Sequence, residues 1–126
     1  MPVSDIRVGG CLCGAVRYEL TGQPYKSGVC HCGDCRKVTG SAFLHYADWR
    51  PHQFKFTGDV REFAGRSFCP TCGARVFSLS DDQAEIYLGT LDNAPTGIAP
   101  DMEIWIKRRE SWLAQLDVPQ FAEDAR

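Results

Sequence analysis

Seven cysteines carry most of the chemistry open to this chain, and they fall in three groups. Cys11 and Cys13 form C-x-C. Cys30, Cys32 and Cys35 form C-x-C-x-x-C, and Cys69 and Cys72 form C-x-x-C within F-C-P-T-C-G. Two short-spaced pairs separated by a long loop have the form of a zinc ribbon-like site, although the 55 residues between Cys13 and Cys69 exceed a simple ribbon. Tetrahedral zinc takes four soft ligands, and two turns that each present two thiolates supply them. Cys11, Cys13, Cys69 and Cys72 are therefore expected to form a closed, structural zinc site. Gly14 and Gly73 directly follow their pairs. They are expected to let the backbone fold tightly and aim amides at the sulfurs. The competing reading is a set of buried thiols, or a redox dithiol in Cys69-Pro70-Thr71-Cys72.

The middle group is different. Cys30, Cys32 and Cys35 can face one metal and leave its fourth position to water or substrate, the usual arrangement of catalytic zinc. A short helix after Cys32 would bring its positive end near the sulfurs, and Arg36 and Lys37 add charge of the same sign, which favours thiolate. A fourth ligand from His31, Asp34 or His45 would close the site, and without metal the trio could act as a redox sensor. His31 is a catalytic candidate, to relay protons or contact substrate. A residue held between two ligands, however, more often points off the metal and bonds to backbone. Ser41 is a further candidate proton donor. Phe43 and Tyr46 could line a pocket. Trp49, Trp105 and Trp112 read as core or rim aromatics.

The elements that must hold these residues are short. Glycine or proline interrupts the chain every few residues, with strand-like runs between. Val16 to Leu20 alternates with a period of two. Phe54–Phe56 and Val60–Phe63 flank Thr57-Gly58-Asp59, which predicts a hairpin turn. Val76–Leu79, Ile86–Leu88 and Ile104–Ile106 are further strand candidates. Gly33 to Thr39 predicts about two helical turns, with Asp34 near the start and Gly40 as a left-handed stop. Ser111 to Leu116 predicts one more turn, ended before Pro119. Ala122 to Arg126 is expected to fray.

The chain has 126 residues and a 44% apolar content, which fits one folded domain over 1–126. A core of this size gives marginal stability, to which metal clips would add. The formal charge of −2 becomes more negative when seven thiolates take two zinc ions. That balance does not suit a nucleic-acid partner, which calls for a basic surface. Lys107, Arg108 and Arg109 are a local exception, read as a solvated strand end or an anion site. No apolar run is long enough to cross a bilayer, and Met1 to Gly10 lacks the apolar core of a signal peptide. The expectation is a cytoplasmic protein with no membrane partner, in a compartment where cysteines serve as ligands or catalysts.

Five ordered motifs carry a resemblance. G-G-C-L-C-G-A-V-R-Y, C-H-C-G-D-C-R-K-V-T-G-S-A-F, F-C-P-T-C-G-A-R-V-F, L-G-T-L-D, and W-I-K-R-R-E-S-W with L-D-V-P-Q-F together resemble the glutathione-dependent formaldehyde-activating enzyme family, which includes the centromere protein V relatives. The resemblance runs from about Gly9 to Phe121. It implies a mainly β, β-tent fold of the Mss4-like kind with short helical segments. It also implies two zinc ions per chain, a structural one on Cys11, Cys13, Cys69 and Cys72 and a catalytic one on Cys30, Cys32 and Cys35. The implied activity is that of a carbon–sulfur lyase in formaldehyde detoxification, joining glutathione to formaldehyde as S-hydroxymethylglutathione. The chain departs from the family pattern at Arg75, after F-C-P-T-C-G-A, and at Glu103, where relatives often carry histidine before the last strand. The alternative function is a non-catalytic, zinc-stabilised binding module for a small thiol or a protein.

Overall fold

Side-chain alternation along paired strands builds the fold of this chain, which a computed structural model describes over residues 5–125. The small sheet is antiparallel, in the order β1 (Ile6–Gly10), β2 (Arg17–Thr21), β5 (Phe54–Thr57). The large sheet runs β10 (Glu103–Ile104), β3 (Lys26–Cys30), β4 (Leu44–Trp49), β9 (Ala84–Tyr87), β8 (Arg75–Leu79), β7 (Arg66–Phe68), β6 (Arg61–Phe63). All its pairs are antiparallel except β10 with β3. One α-helix, α1 (Gly33–Thr39), connects β3 to β4. The fold is thus mainly β, as the resemblance implied. Among the described residues no helix is long and apolar enough to cross a membrane.

The two faces of the large sheet carry different clusters. Ala47, Ile86 and Phe77 lie opposite one another across β4, β9 and β8 and pack with Trp49 against Val16, Tyr18 and Leu20 from the small-sheet side. Phe54 and Phe56 close this core over Phe77, at 5.0 and 4.9 Å between ring centres. Strand alternation turns Cys30, Leu44, Tyr46 and Tyr87 to the other face, where they pack with Cys35. Cys11 and Cys69 belong to the first cluster, and Cys30 and Cys35 to the second. The sheet therefore lies between the two groups of sulfurs.

Several expected elements differ. Thr57-Gly58-Asp59 is no hairpin: β5 pairs with β2 in the small sheet, and β6 pairs with β7 in the large one. The segment is a crossover that passes close to the backbone of Ala15. Gly58 sits at φ +97°, and a β-carbon there would lie 2.1 Å from the Ala15 carbonyl oxygen. Helix α1 spans the expected residues and stops at Gly40, at φ 61°. Its cap is Cys32, whose sulfur accepts from the Cys35 amide, while Asp34 pairs with Arg66 at 3.8 Å. The expected turn over Ser111 to Leu116 is confined to Ser111 and Trp112, and the chain from Ala114 to Leu116 is irregular. The expected strand Ile104–Ile106 shortens to Glu103–Ile104, because Trp105 adopts φ 58° and a 3-10 turn follows at Ile106–Arg108.

The tail does not fray as expected. The Glu103, Trp105, Ile106 and Phe121 amides form backbone bonds of 2.9–3.1 Å with Pro119, Glu123, Phe121 and Glu103. Lys107 also pairs with Glu123. Arg126, in the same stretch, lies outside the described residues.

On the Cys30 face, Asp48 and Glu85 are direct cross-strand partners, with the Lys26 ammonium 3.5 Å from Asp48. Burial, then the charge of Asp48, pushes Glu85 up to about 7 from the ordinary 4.5. The folded state thus holds this proton more tightly than the unfolded chain does. Stability falls as the pH rises from 4.5 to about 7. The Glu85→Gln variant is expected to melt a few degrees above wild type at pH 8, with the gap narrowing toward pH 5. Equal melts at pH 8 would contradict the burial of this charge.

Candidate metal centres

Two tight turns and one strand end gather the seven sulfurs. The turn between β1 and β2 presents Cys11 and Cys13, and the turn between β7 and β8 presents Cys69 and Cys72. Gly14 and Gly73, at φ 86° and 79°, reverse the chain behind each pair. The four sulfurs all lie within 4.8 Å of one another. Cys13 Sγ stands 3.6 Å from Cys11 Sγ and 3.7 Å from Cys69 Sγ. Sulfurs about 2.3 Å from a tetrahedral ion stand about 3.8 Å apart, whereas a disulfide needs about 2.05 Å. The thiols are all free, and the set fits one tetrahedral ion.

Amides surround these sulfurs, though not the ones expected. The Val16 amide donates to Cys11 at 3.2 Å, and the Thr71 and Cys72 amides donate to Cys69 at 3.3 and 3.4 Å. The Gly14 and Gly73 amides turn instead to the carbonyls of Cys11 and Cys69. Amide donation favours thiolate. The Cys72 thiol is brought down to about 6 by the Ala74 and Cys13 amides.

The second group spans the end of β3 and the start of α1. Cys30, Cys32 and Cys35 also lie within 4.8 Å of one another. Among the described residues no histidine or carboxylate joins them, so His31, Asp34 and His45 do not complete the set. Hydrogen bonding from Cys35 brings the Cys30 thiol down to about 6, against the effect of burial and with help from the Cys32 amide. The proton donor in that bond, Cys35, is correspondingly pushed up. Cys30 and Cys35 are buried, while Cys32 lines an open cleft of about 590 Å³. Gly33, Asp34 and Lys37 form its helix wall, and Trp105, Arg108 and Asp124 form its tail wall. Three thiols with a solvent-facing side fit one metal ion with room for an outside ligand.

His31 occupies neither the trio nor the cleft. Its side chain is 1% exposed, and Nε2 meets Glu103 Oε2 at 2.8 Å, so it bonds to a carboxylate where a backbone partner was expected. The other Glu103 oxygen accepts from the Leu116 amide at 2.8 Å and from Gln120 at 2.9 Å, with Arg109 at 3.6 Å. Burial opposes the Glu103 charge, yet the Leu116, Gln120 and His31 donors outweigh it and hold the carboxyl below its ordinary value. Glu103 thereby fastens the tail beside the three-thiol turn.

The remaining candidates lie elsewhere. Phe43, Ser41, His45 and Arg75 line a separate cavity of about 430 Å³ that holds no cysteine, and the Ser41 hydroxyl donates to the Phe43 carbonyl. Tyr46 is buried against Cys30 and Cys35 rather than lining a pocket. Trp49 is core, Trp112 is exposed, and Trp105 is the one tryptophan on the cleft. Residue-by-residue reading missed Arg108 and Asp124 as cleft residues. The basic run at 107–109 was the available signal for Arg108, and nothing local marks Asp124.

Comparison with known proteins gives the chain a context. A family model described as "Glutathione-dependent formaldehyde-activating enzyme" matches residues 6–108. None of the curated proteins matches the chain. A crystal structure of a Rhodobacter sphaeroides protein is similar, at 21% identity and a TM-score of 0.55, covering 74% of this chain and 97% of that one. At that identity the likeness concerns the fold.

The Glu103→Gln variant is expected to lose about 1–3 kcal/mol of stability at pH 7. Glu103 is depressed by its donors, so its contribution is present above the ordinary value of 4.5 and fades as the pH falls below it. Urea melts of both proteins at pH 7 and pH 4 check this. A gap that does not shrink in acid would contradict the charge-based anchoring.

Proposed function

Since the chain belongs to the glutathione-dependent formaldehyde-activating enzyme family, we propose that it is a carbon–sulfur lyase of that type. In this reading it binds glutathione at the three-thiol site for addition to formaldehyde, giving S-hydroxymethylglutathione. The observation that carries the reading is the trio itself: three cysteine sulfurs within 4.8 Å, no fourth side-chain donor among the described residues, and Cys32 facing a cleft. The same reading assigns two zinc ions to one domain, a structural one on Cys11, Cys13, Cys69 and Cys72 and a catalytic one on Cys30, Cys32 and Cys35. Seven free thiols favour a reducing, cytoplasmic setting.

A bound zinc ion would deprotonate an incoming thiol and keep it nucleophilic at neutral pH, where a free thiol of pKa about 8.5 is mostly protonated. The residues of the chain supply the rest. Cys30 and Cys35 are packed with Leu44, Tyr46 and Tyr87, which holds two of the three sulfurs in place. Cys32 is held by the Cys35 amide at 3.2 Å, at the floor of the cleft. The cleft walls orient the thiol and the carbonyl against each other, a positioning effect. Neither His31 nor Ser41 lines the cleft, which is open, so bulk solvent rather than either of those side chains is taken as the proton source for the new alkoxide oxygen. Addition then forms one C–S bond at the expense of the carbonyl π bond, whose electron pair moves to oxygen, and that oxygen takes back through solvent the proton the thiol gave up.

Two variants separate the roles. Cys32→Ala is expected to fold with a near-normal melt but to retain one zinc ion per chain in place of two. Cys69→Ala is expected to lose most of its folded population, because a structural zinc site supplies on the order of 10 kcal/mol in small domains. Metal analysis and thermal melts on both read this out. An unfolded Cys32→Ala, or a Cys69→Ala with an unchanged melt, would reverse the assignment. Function itself is tested by calorimetric titration of the zinc-loaded protein with glutathione, followed by a turnover assay with formaldehyde. Absence of both binding and turnover would leave only the binding-module role.

A further inference from the structure

The walls of the cleft differ in charge from its floor, and this difference points to the shape of the ligand. Lys37 comes from α1, while Arg108 comes from the 3-10 turn after Trp105. Neither cation has an ion-pair partner among the described residues, whereas the neighbouring Arg36, Lys107 and Arg109 are paired to Glu110, Glu123 and Glu103. The guanidinium of Arg108 lies over Gly33, 3.7 Å from where a β-carbon would stand. A β-carbon there would be in ordinary van der Waals contact with it, so the guanidinium lies directly against the residue next to Cys32. Two carboxylates also line the cleft. Asp34 is engaged by Arg66, and Asp124 accepts from Trp105 Nε1 at 2.8 Å through one oxygen, its other oxygen having no partner among the described residues. Trp105 itself is held at φ 58°, a conformation that disfavours side chains. The Glu123 and Asp124 bonds keep it there. The tail is therefore fixed in the posture that puts Trp105, Arg108 and Asp124 on one wall.

We infer that Arg108 and Lys37 bind the carboxylates of an anionic peptide thiol and that the free oxygen of Asp124 receives its α-ammonium. This rests on the thiol-binding reading above and deepens it. Two unpaired cations and one half-free carboxylate, set around a sulfur-lined floor, complement a ligand with two carboxylates and one ammonium group. Glutathione has that charge pattern. A neutral thiol lacks it and would gain nothing from these walls. An arginine offers a planar fork to a carboxylate, and two parallel charge-assisted bonds are stronger and more specific than one.

The test separates wall recognition from sulfur capture by using S-methylglutathione, which keeps every charge but has no thiol to give. The zinc-loaded protein is titrated calorimetrically with S-methylglutathione, with its form esterified at both carboxylates, and with glutathione. The proposal expects S-methylglutathione to bind and the diester to bind at least tenfold more weakly. It expects Arg108→Gln and Lys37→Gln each to weaken S-methylglutathione about tenfold, the worth of one charge-assisted bond. It also expects both variants to retain two zinc ions and the wild-type melt. Failure of S-methylglutathione to bind at millimolar concentration would overturn the proposal. So would equal affinity of ester and acid, or loss of zinc in the variants, which would make the two cations counter-charges of the sulfurs. Glutathione that binds equally well to all three proteins would sink the wall recognition and leave thiol capture standing. Charge-dependent binding of S-methylglutathione with no gain for glutathione would uphold the walls and sink the capture.

Discussion

Four sulfurs from turns 55 residues apart meet within 4.8 Å, and the rest of the structure depends on that junction. One turn belongs to the small sheet and the other to the large sheet. Wherever the junction is closed, the two sheets are clamped face to face over Trp49, Phe77 and Ile86. The entropy of bringing distant segments together grows slowly with loop length, so one strong link can offset it. The apolar core on its own would have little margin in a chain of this size. With the sheets held in register, β3 and β4 present Cys30, Leu44 and Tyr46 to the opposite face, and α1 finds its footing there.

The three-thiol group is built by a different device. Its sulfurs are close in sequence, so a strand end and the first turn of a helix bring them together without distant help. Distant parts of the chain supply the surroundings. Glu103 reaches His31 across 72 residues and gathers Leu116, Gln120 and Arg109 around its other oxygen. A buried carboxylate with this many donors is secure, because both of its oxygens have hydrogen-bond partners. It also makes the tail a wall of the site.

Cysteine spacing and the Gly33–Thr39 helix were legible in the sequence because both are local: a turn, a cap and a stop within a few residues. The β2 run was legible from its alternation and β8 from its apolar run, whereas the expected strand Ile86–Leu88 is shifted to Ala84–Tyr87, with Leu88 opening a 3-10 turn. What was hidden needs contacts between distant residues. Lys26–Cys30 reads as polar and glycine-interrupted, yet it is a central strand between β10 and β4. Ile6–Gly10 ends in two glycines and becomes a strand only through its pairing with β2. Thr57-Gly58-Asp59 has hairpin composition, but the chain changes sheets there because Gly58 must pass the Ala15 backbone. The tail looks like an end that frays, and Glu103 looked only like a departure from a family pattern. Neither position carries a local signal that it will be tied across the molecule.

The order of the sulfurs along the chain has a consequence during synthesis. A nascent polypeptide leaves the ribosome amino end first, so Cys30, Cys32 and Cys35 are all outside while Cys69 and Cys72 are still to come. Through that interval Cys11 and Cys13 form an incomplete pair beside a complete trio, and a thiophilic ion arriving then meets five sulfurs of which only three belong together. The trio lies within six consecutive residues, so its sulfurs can be gathered on one ion before the later half exists. Correct sorting of the ions is thereby favoured by timing as well as by the finished geometry.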